Sequence, residues 1–300
     1  MLIGIASTHS PSKRGRISSV DERFAAAAAA RGAEPLFIDP LDCSYEIDRH
    51  RPRIFLHGQP LALDGLLVRR AAHHWNATKT LVLVAHELDV RCLDGPGTFI
   101  GSLSGKFQAL LRRYQLPSAR SPRSFLYFRP ESVRAAPPPP ETFPLLRKPL
   151  RGSLGEGIVT LHSPRDLARY LVDFDFTEPL MLQQRIAGTE YRVLMLGQRC
   201  LGVVKKHAAA GGLGNAAKGA RFVRAGQTMS ATVAELGARV MQVAPYDFAA
   251  IDLFRDENDE SWILECNRNP HFSAFEAAVP EIDVATEVID ELMRRISTFQ

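Results

Sequence analysis

The sequence predicts a mixed α/β and α+β fold, and three stretches carry that prediction. Residues 1–70 run strand, helix, strand with short turns, the pattern of a parallel α/β sheet. Residues 143–161, FPLLRKPLRGSLGEGIVTL, read as two strands around a glycine-rich turn. Residues 246–275 set two apolar runs, Phe248–Phe254 and Trp262–Cys266, on either side of the charged string Arg255 to Ser261, which is the mark of a β-hairpin.

Taken in order, Met1–Ala6 is a short apolar strand followed by a polar loop holding His9, Ser10, Lys13, Arg14 and Arg16. Ser19 and Glu22 form a capping box for a helix through Ala30 that Gly32 closes. Leu36–Ile38, Ile54–Leu56 and Gly65–Val68 are further strands. The loop after the first strand lies at the carboxyl edge of the sheet, where ligands commonly bind, though solvent is the stronger claimant to its basic residues. Leu81–Val90 reads as a helix and Cys92–Gly101 as an irregular link, so a first domain of residues 1–95 is expected. A second, 96–184, contains the amphipathic helix Phe107–Tyr114, the glycine-rich turn and the helix Asp166–Val172. The third, 185–300, has strands at Arg192–Leu196 and Cys200–Lys206, a Gly/Ala-rich loop at Ala208–Gly219 suited to a lid, a helix at Thr232–Val243, the acidic hairpin and a closing helix at Ile282–Ile296.

Composition narrows the function. A chain of 300 residues, 45% hydrophobic, with net charge +4 and a pI near 9.0, has a sizeable core and no concentrated basic surface, so a nucleic-acid partner is not expected. Cys43, Cys92, Cys200 and Cys266 form no CxxC pair, which fits a reducing, cytoplasmic setting, and no apolar run is long enough for a membrane. The string GSLSGKF has three residues between its glycines and Phe after Lys106, so it is not a Walker A loop.

With the hairpin tip at Asn258-Asp259, Asp252 lies opposite Glu265, and Asn267 shares the face of Glu265. Ile251, Leu253, Leu264 and Cys266 then point to the core. Two facing carboxylates about 5 Å apart at Cβ repel unless a positive charge separates them. Magnesium does so, and its remaining sites usually go to water and nucleotide phosphates. The competing reading is a solvated hairpin, but both acids sit inside the apolar runs while Asp256, Glu257, Asp259 and Glu260 already make the tip soluble. In the glycine-rich turn, Gly152, Ser153, Gly155 and Gly157 let backbone N–H groups approach phosphate, and Lys148 adds a fixed positive charge.

These parts in this order resemble the ATP-grasp superfamily, specifically its RimK-type carboxylate–amine ligases. AAIDLF with ILECNRNP is similar to VDLL…MEVNSSPG, RKPLRGSLGEGI to VKPLxGSxGxGI, and GTEYRVLMLGQRCLGVVKK is the third matching piece. The likeness spans residues 95–296; the N-terminal part matches by architecture. It implies an N-terminal parallel α/β (pre-ATP-grasp) domain and two α+β subdomains clamping ATP. By that likeness Lys106 and Lys148 touch the phosphates under the Gly152–Gly157 turn, the strand end Gln183, Gln184, Arg185 and Ile186 offers backbone groups to adenine, and Glu190 lies near the ribose. Asp252, Glu265 and Asn267 hold magnesium, two ions in the family, with manganese as a substitute. Arg192, Asn215 and Lys218 serve the reacting centre; apart from the likeness, Arg268 and His271 beside the metal and His9 and Arg14 in the loop after the first strand are candidate substrate contacts.

The departures are Gln184 for Glu, Lys218 for Arg, Leu213 for a further Arg, and Arg268 and His271 for small residues beside the metal. The likeness further implies that ATP phosphorylates a carboxylate and that an amine attacks the acylphosphate; separately, His207 and His271 are candidate acceptors of the amine's proton, although a lone His is more often structural or solvated. The partners are a small-molecule acid and amine, or a peptide or protein tail, and a homo-oligomer is open. A small-molecule kinase on the same clamp and a non-catalytic nucleotide-binding module are the alternatives.

Overall fold

The computed structural model describes residues 1–7, 18–49, 51–69, 74–99, 120–150, 157–207 and 221–298. The first segment contains β1 (Leu2–Ala6), α1 (Ser19–Ala29), β2 (Glu34–Ile38), a three-stranded meander β3 (Cys43–Glu46), β4 (Arg53–Leu56) and β5 (Gln59–Leu61), then β6 (Gly65–Val68), α2 (Trp75–Glu87), β7 (Arg91–Leu93) and a helical turn α3 (Pro96–Phe99). The parallel sheet has the order β2-β1-β6-β7, as the strand–helix–strand pattern predicts. Two local expectations change. Ser18, not Ser19, caps α1, its hydroxyl accepting from the Val20 N–H, and the stretch read as an irregular link supplies β7 and α3. Ile54–Leu56 pairs antiparallel with β3 and β5 outside the parallel sheet, because its partners are hairpin neighbours in sequence.

The next segment is β8 (Ser124–Tyr127), α4 (Pro130–Ala135), β9 (Leu145–Lys148), β10 (Val159–Leu161), α5 (Pro164–Asp173) and β11 (Leu180–Gln184). Its strands form an antiparallel sheet ordered β10-β9-β11-β8. The last segment is β12 (Thr189–Leu196), β13 (Arg199–His207), β14 (Arg221–Arg224), α6 (Gln227–Val243), β15 (Phe248–Arg255), β16 (Ser261–Asn267), α7 (Ser273–Ala278) and α8 (Val284–Ser297), with a second antiparallel sheet ordered β14-β13-β12-β15-β16. Residues 120–123 join the two antiparallel sheets. Arg120 exchanges backbone hydrogen bonds with Ser261 and Ile263 at the β16 edge, and the Arg123 carbonyl accepts from the Gln184 N–H.

Strand alternation gives the five-stranded sheet two different faces. Tyr191, Val193, Met195, Ile251 and Leu253 point to one face and are covered by Val233, Leu236 and Val240 of α6. The opposite face is apolar at one end, where Leu194, Leu196 and Phe248 join Ile3, Phe24 and the α8 residues in a shared core. The closing helix therefore packs on α1, β6 and β7 of the N-terminal unit. Gly65 permits this approach, since a Cβ there would come within 2.7 Å of the Ile296 side chain. At its other end the same face is charged, and the candidate site lies there. Among the described residues no helix is long and apolar enough to cross a membrane, and all four cysteines are free.

Candidate active site

Three strands and a glycine build the site. Gly188, with φ +144°, precedes β12, and a Cβ at this position would lie 2.2 Å from the Arg255 carbonyl oxygen. Only glycine lets the start of β12 lie this close to the end of β15, and Thr189 then pairs with Arg255. Counting along β12, Glu190 and Arg192 fall on the charged face. Arg192 pairs directly with Asp252 on β15, and Asp252 pairs in turn with Glu265 on β16, so an arginine and two carboxylates make one row across three strands. Asn267, opposite Ala250, lies two residues further along β16, and its side-chain oxygen accepts from the Asn269 N–H at 3.0 Å.

The facing of Asp252 and Glu265 agrees with the register read from the sequence, but two features produce it jointly. The tip is a longer loop centred on Asn258, organised by Asp256, whose side chain accepts from the N–H groups of Asn258 and Glu260 and from the Trp262 indole. Arg255 pairs with Ser261 and Leu253 with Ile263, one step out of the register of a two-residue tip. A β-bulge at Leu264 then restores it. In consequence Ile263, only 1% exposed, takes the core position beside Leu253, and Leu264 is only half-buried, which corrects the expectation that Leu264 points inward.

Charge is balanced tightly around Asp252. Arg192 donates through Nε and Nη2 to the two Asp252 oxygens, both at 2.7 Å, and Lys206 Nζ approaches Asp252 Oδ2 at 2.9 Å. Lys206 also donates to Glu190, which it faces across the β12–β13 ladder. Asp252 is 3% and Lys206 7% exposed. Burial alone pushes the Asp252 carboxyl up, but Arg192 and Lys206 outweigh it and hold the group well below the usual carboxylate range. Glu190 is raised, because its burial and the nearby Asp252 charge exceed the help that Lys206 gives. Arg192 loses ground to burial and regains more from Asp252, so its guanidinium is held more firmly charged than usual.

This donor set fits magnesium. Among the described residues no three His, Cys, Asp or Glu side chains cluster for a metal, so the face offers two carboxylates and one amide oxygen. That is the sparse protein share that magnesium takes when phosphate oxygens and water complete its shell. Glu265 is half-buried and accepts no hydrogen bond from the described residues, which leaves its oxygens available. Asp252 offers the lone pairs not already used by its two cations.

On the central sheet, Lys148 pairs with Met181, and its ammonium donates to the Gln183 side-chain oxygen at 2.6 Å. Gln183, 1% exposed, donates onward to the Ser124 hydroxyl. The N–H groups of Gln184 and Arg185 are used inside the protein, by the Arg123 and Pro144 carbonyls. Of the glycine-rich turn, only Gly157 is described; its φ is +69° and its carbonyl accepts from Arg147. Gly152, Ser153, Gly155, Lys106, Asn215, Lys218, His9 and Arg14 lie outside the described residues.

Arg268 is turned toward the N-terminal unit. Its guanidinium is stacked on Trp75 and Phe99, with ring centroids at 5.2 and 5.3 Å, and sits 4.0 Å from Asp94. His271 is exposed, as is His207 at the end of β13. Lys206, Asp94 and Asp247 emerge only from the structure. A plain hairpin across Gly197-Gln198 would set Lys205 opposite Glu190, and a bulge in β13 substitutes Lys206.

No family model matches the chain. It is 26% identical over 281 residues to a probable alpha-L-glutamate ligase of Saccharophagus degradans, covering 89% of both chains. A protein of the same name from Chromohalobacter salexigens is 25% identical, with 99% of this chain and 97% of that one covered. Among solved structures, the ATP-grasp ligase PsnB complexed with minimal precursor, Mg and ADP superposes with a TM-score of 0.71 at 17% identity over 99% of this chain and 98% of its own. The macrocyclase MdnC from Microcystis aeruginosa, bound with precursor peptide MdnA, gives 0.70 at 17% identity over 97% and 99%. A RimK domain ATP-grasp protein from Sphaerobacter thermophilus gives 0.66 at 14% over 98% and 100%. The chain thus has the fold of the ATP-grasp ligases, and the curated proteins it is similar to over most of its length are named as probable alpha-L-glutamate ligases.

Proposed function

We propose that the chain joins a carboxylate to an amine at the charged face of the five-stranded sheet, with a peptide supplying one of the two groups. The observation that carries this reading is the row Arg192, Asp252, Glu265 on three adjacent strands, a charge-balanced surface for a metal-bound triphosphate. In this reading Asp252, Glu265 and Asn267 hold magnesium, Lys148 and Lys106 bind phosphate oxygens, Glu190 meets the ribose, and Gln183–Ile186 borders adenine. Magnesium, when bound, spreads the charge of the transferring phosphoryl group.

The substrate carboxylate attacks the γ-phosphorus and the bond to ADP breaks. The amine then attacks the acyl carbon, phosphate leaves, and the amine proton passes to solvent or a nearby base. Arg192, held by Asp252, and Lys218 steady the anions, and no protein nucleophile is needed. The peptide assignment draws on PsnB and MdnC, which hold precursor peptides and match the chain over nearly its whole length. Free glutamate as the amine is the second reading, favoured by the names of the relatives.

The test is hydroxylamine trapping with ATP and a panel of acids and peptides. Hydroxamate formed together with ADP is the expected result. A stable phosphate ester without hydroxamate indicates a kinase, and nucleotide bound without ADP release indicates a non-catalytic module; either overturns the reading. With a peptide, loss of one water mass per bond marks an intramolecular amide, and gain of a glutamyl residue marks the second reading.

A further inference from the structure

The open end of the β15–β16 hairpin is fastened to the N-terminal unit around Asp94, with the Thr98 hydroxyl donating to the Pro245 carbonyl beside it. Asp94 follows β7 in the left-handed region, with φ +63°, a conformation that Asp tolerates better than most non-glycine residues. Its N–H donates to Asp247 Oδ2 at 2.7 Å, and the Asp247 N–H donates back to Asp94 Oδ1 at 2.9 Å. Asp247 immediately precedes β15. The other Asp94 oxygen faces Arg268 at 4.0 Å, and Arg268 immediately follows β16. The Arg268 guanidinium cannot swing away, because it stacks on Trp75 and Phe99 of the same N-terminal unit. Arg295 of α8 closes the arrangement from below, reaching Asp247 at 2.9 Å.

One buried carboxylate thus touches the residue before the first strand and the residue after the second. From there the Ala250–Asn267 pair is the first rung, and Asp252–Glu265 is two rungs on, about 7 Å along the strands. A change of spacing at the open end is transmitted along so short a ladder, since the paired strands and their packed core resist local bending.

We propose that Asp94 is a positioning residue for the ligation reaction: by pinning both strands of the hairpin at their open end it sets the spacing of Asp252, Glu265 and Asn267. The proposal rests on the reading of that face as the magnesium–phosphate site. Asp94 itself touches neither substrate nor metal. It also gives Arg268 a role, as the stacked half of the fastening.

The experiment combines hydrogen exchange of the full chain with magnesium dependence of ADP release. In Asp94→Ala, amides of residues 261–270 are expected to exchange about tenfold faster, while those of α6 and β13 stay unchanged. The magnesium concentration for half-maximal ADP release rises about tenfold, the size of effect seen when an outer residue that orients metal ligands is lost, and kcat at saturating magnesium stays within about twofold. Asp94→Asn, which keeps an acceptor for the Asp247 N–H, falls between Asp94→Ala and the parent protein. Unchanged exchange at 261–270, or a fall in kcat at saturating magnesium with no shift in half-saturation, overturns the proposal. If Asp94→Ala does not fold, Arg268→Lys, which keeps the charge and loses the stacked plane, supplies the exchange measurement. A parent protein that never binds magnesium–ADP sinks the ligase reading instead, and the exchange pattern alone then decides whether Asp94 holds the hairpin.

Discussion

Arg192 and Asp252 stand opposite each other on adjacent antiparallel strands and are joined by two hydrogen bonds of 2.7 Å, with Lys206 as a second cation on the same carboxylate. A buried pair of this kind adds little net stability compared with apolar residues of the same volume, yet removing one member leaves an uncompensated charge. Asp252→Asn is therefore expected to destabilise the fold by about 3 kcal/mol and to abolish magnesium-dependent ADP release. Adding Lys206→Met should recover part of that stability without recovering activity, since the two changes act on one network. Thermal or urea unfolding of the two single variants and the double variant checks this; strictly additive losses would show that the network is not coupled.

Lys148 is aimed by a chain of two hydrogen bonds, through Gln183 to Ser124. Lys148→Met is expected to lower kcat/KM for ATP by about 100-fold with little change in unfolding midpoint, because the ammonium is only half-buried. Gln183→Leu should raise the KM for ATP while leaving Lys148 in place. Steady-state kinetics read against ATP decide; an unaltered KM in Gln183→Leu removes Gln183 from the orienting chain.

Gly188 is the only residue that fits where β12 meets the Arg255 carbonyl. Gly188→Ala is expected to cost about 3 kcal/mol, from the strained backbone and the forced separation of β12 from β15. Glu190 lies two residues away, so nucleotide affinity should fall with it. A variant as stable as the parent would mean that the strand ends do not approach as described.

Burial, only partly offset by Arg268, pushes the Asp94 carboxyl up to about 7 from an ordinary 3.8. Between those values the folded chain holds a proton that the unfolded chain has released. Stability therefore falls as pH rises from about 4 to about 7, by an amount on the order of a few kcal/mol, and levels off above. Asp94→Asn cannot titrate and should flatten that part of the profile. Urea unfolding from pH 4 to 8 for both proteins is the check, and parallel profiles would assign the proton to another group.

Much of this protein was legible in its sequence. The parallel β1–α1–β2 unit followed from apolar strands and short turns. That Asp252 faces Glu265 was expected from alternation about an Asn/Asp-rich tip, although a longer tip and a bulge together produce it, and the likeness of AAIDLF and ILECNRNP to one family followed from their order. These are local properties, because a strand's period and a hairpin's register involve residues close in the chain. Tertiary structure alone decided the rest. Bulges at Leu264 and in β13 chose Ile263 over Leu264 for the core and Lys206 over Lys205 for the site, since which residue is extruded depends on packing across the whole sheet. The role of Arg268 is likewise invisible in NRNPHF, because Trp75, Phe99 and Asp94, which hold it, lie far away in sequence and reach it only when the N-terminal unit docks on the open end of the hairpin.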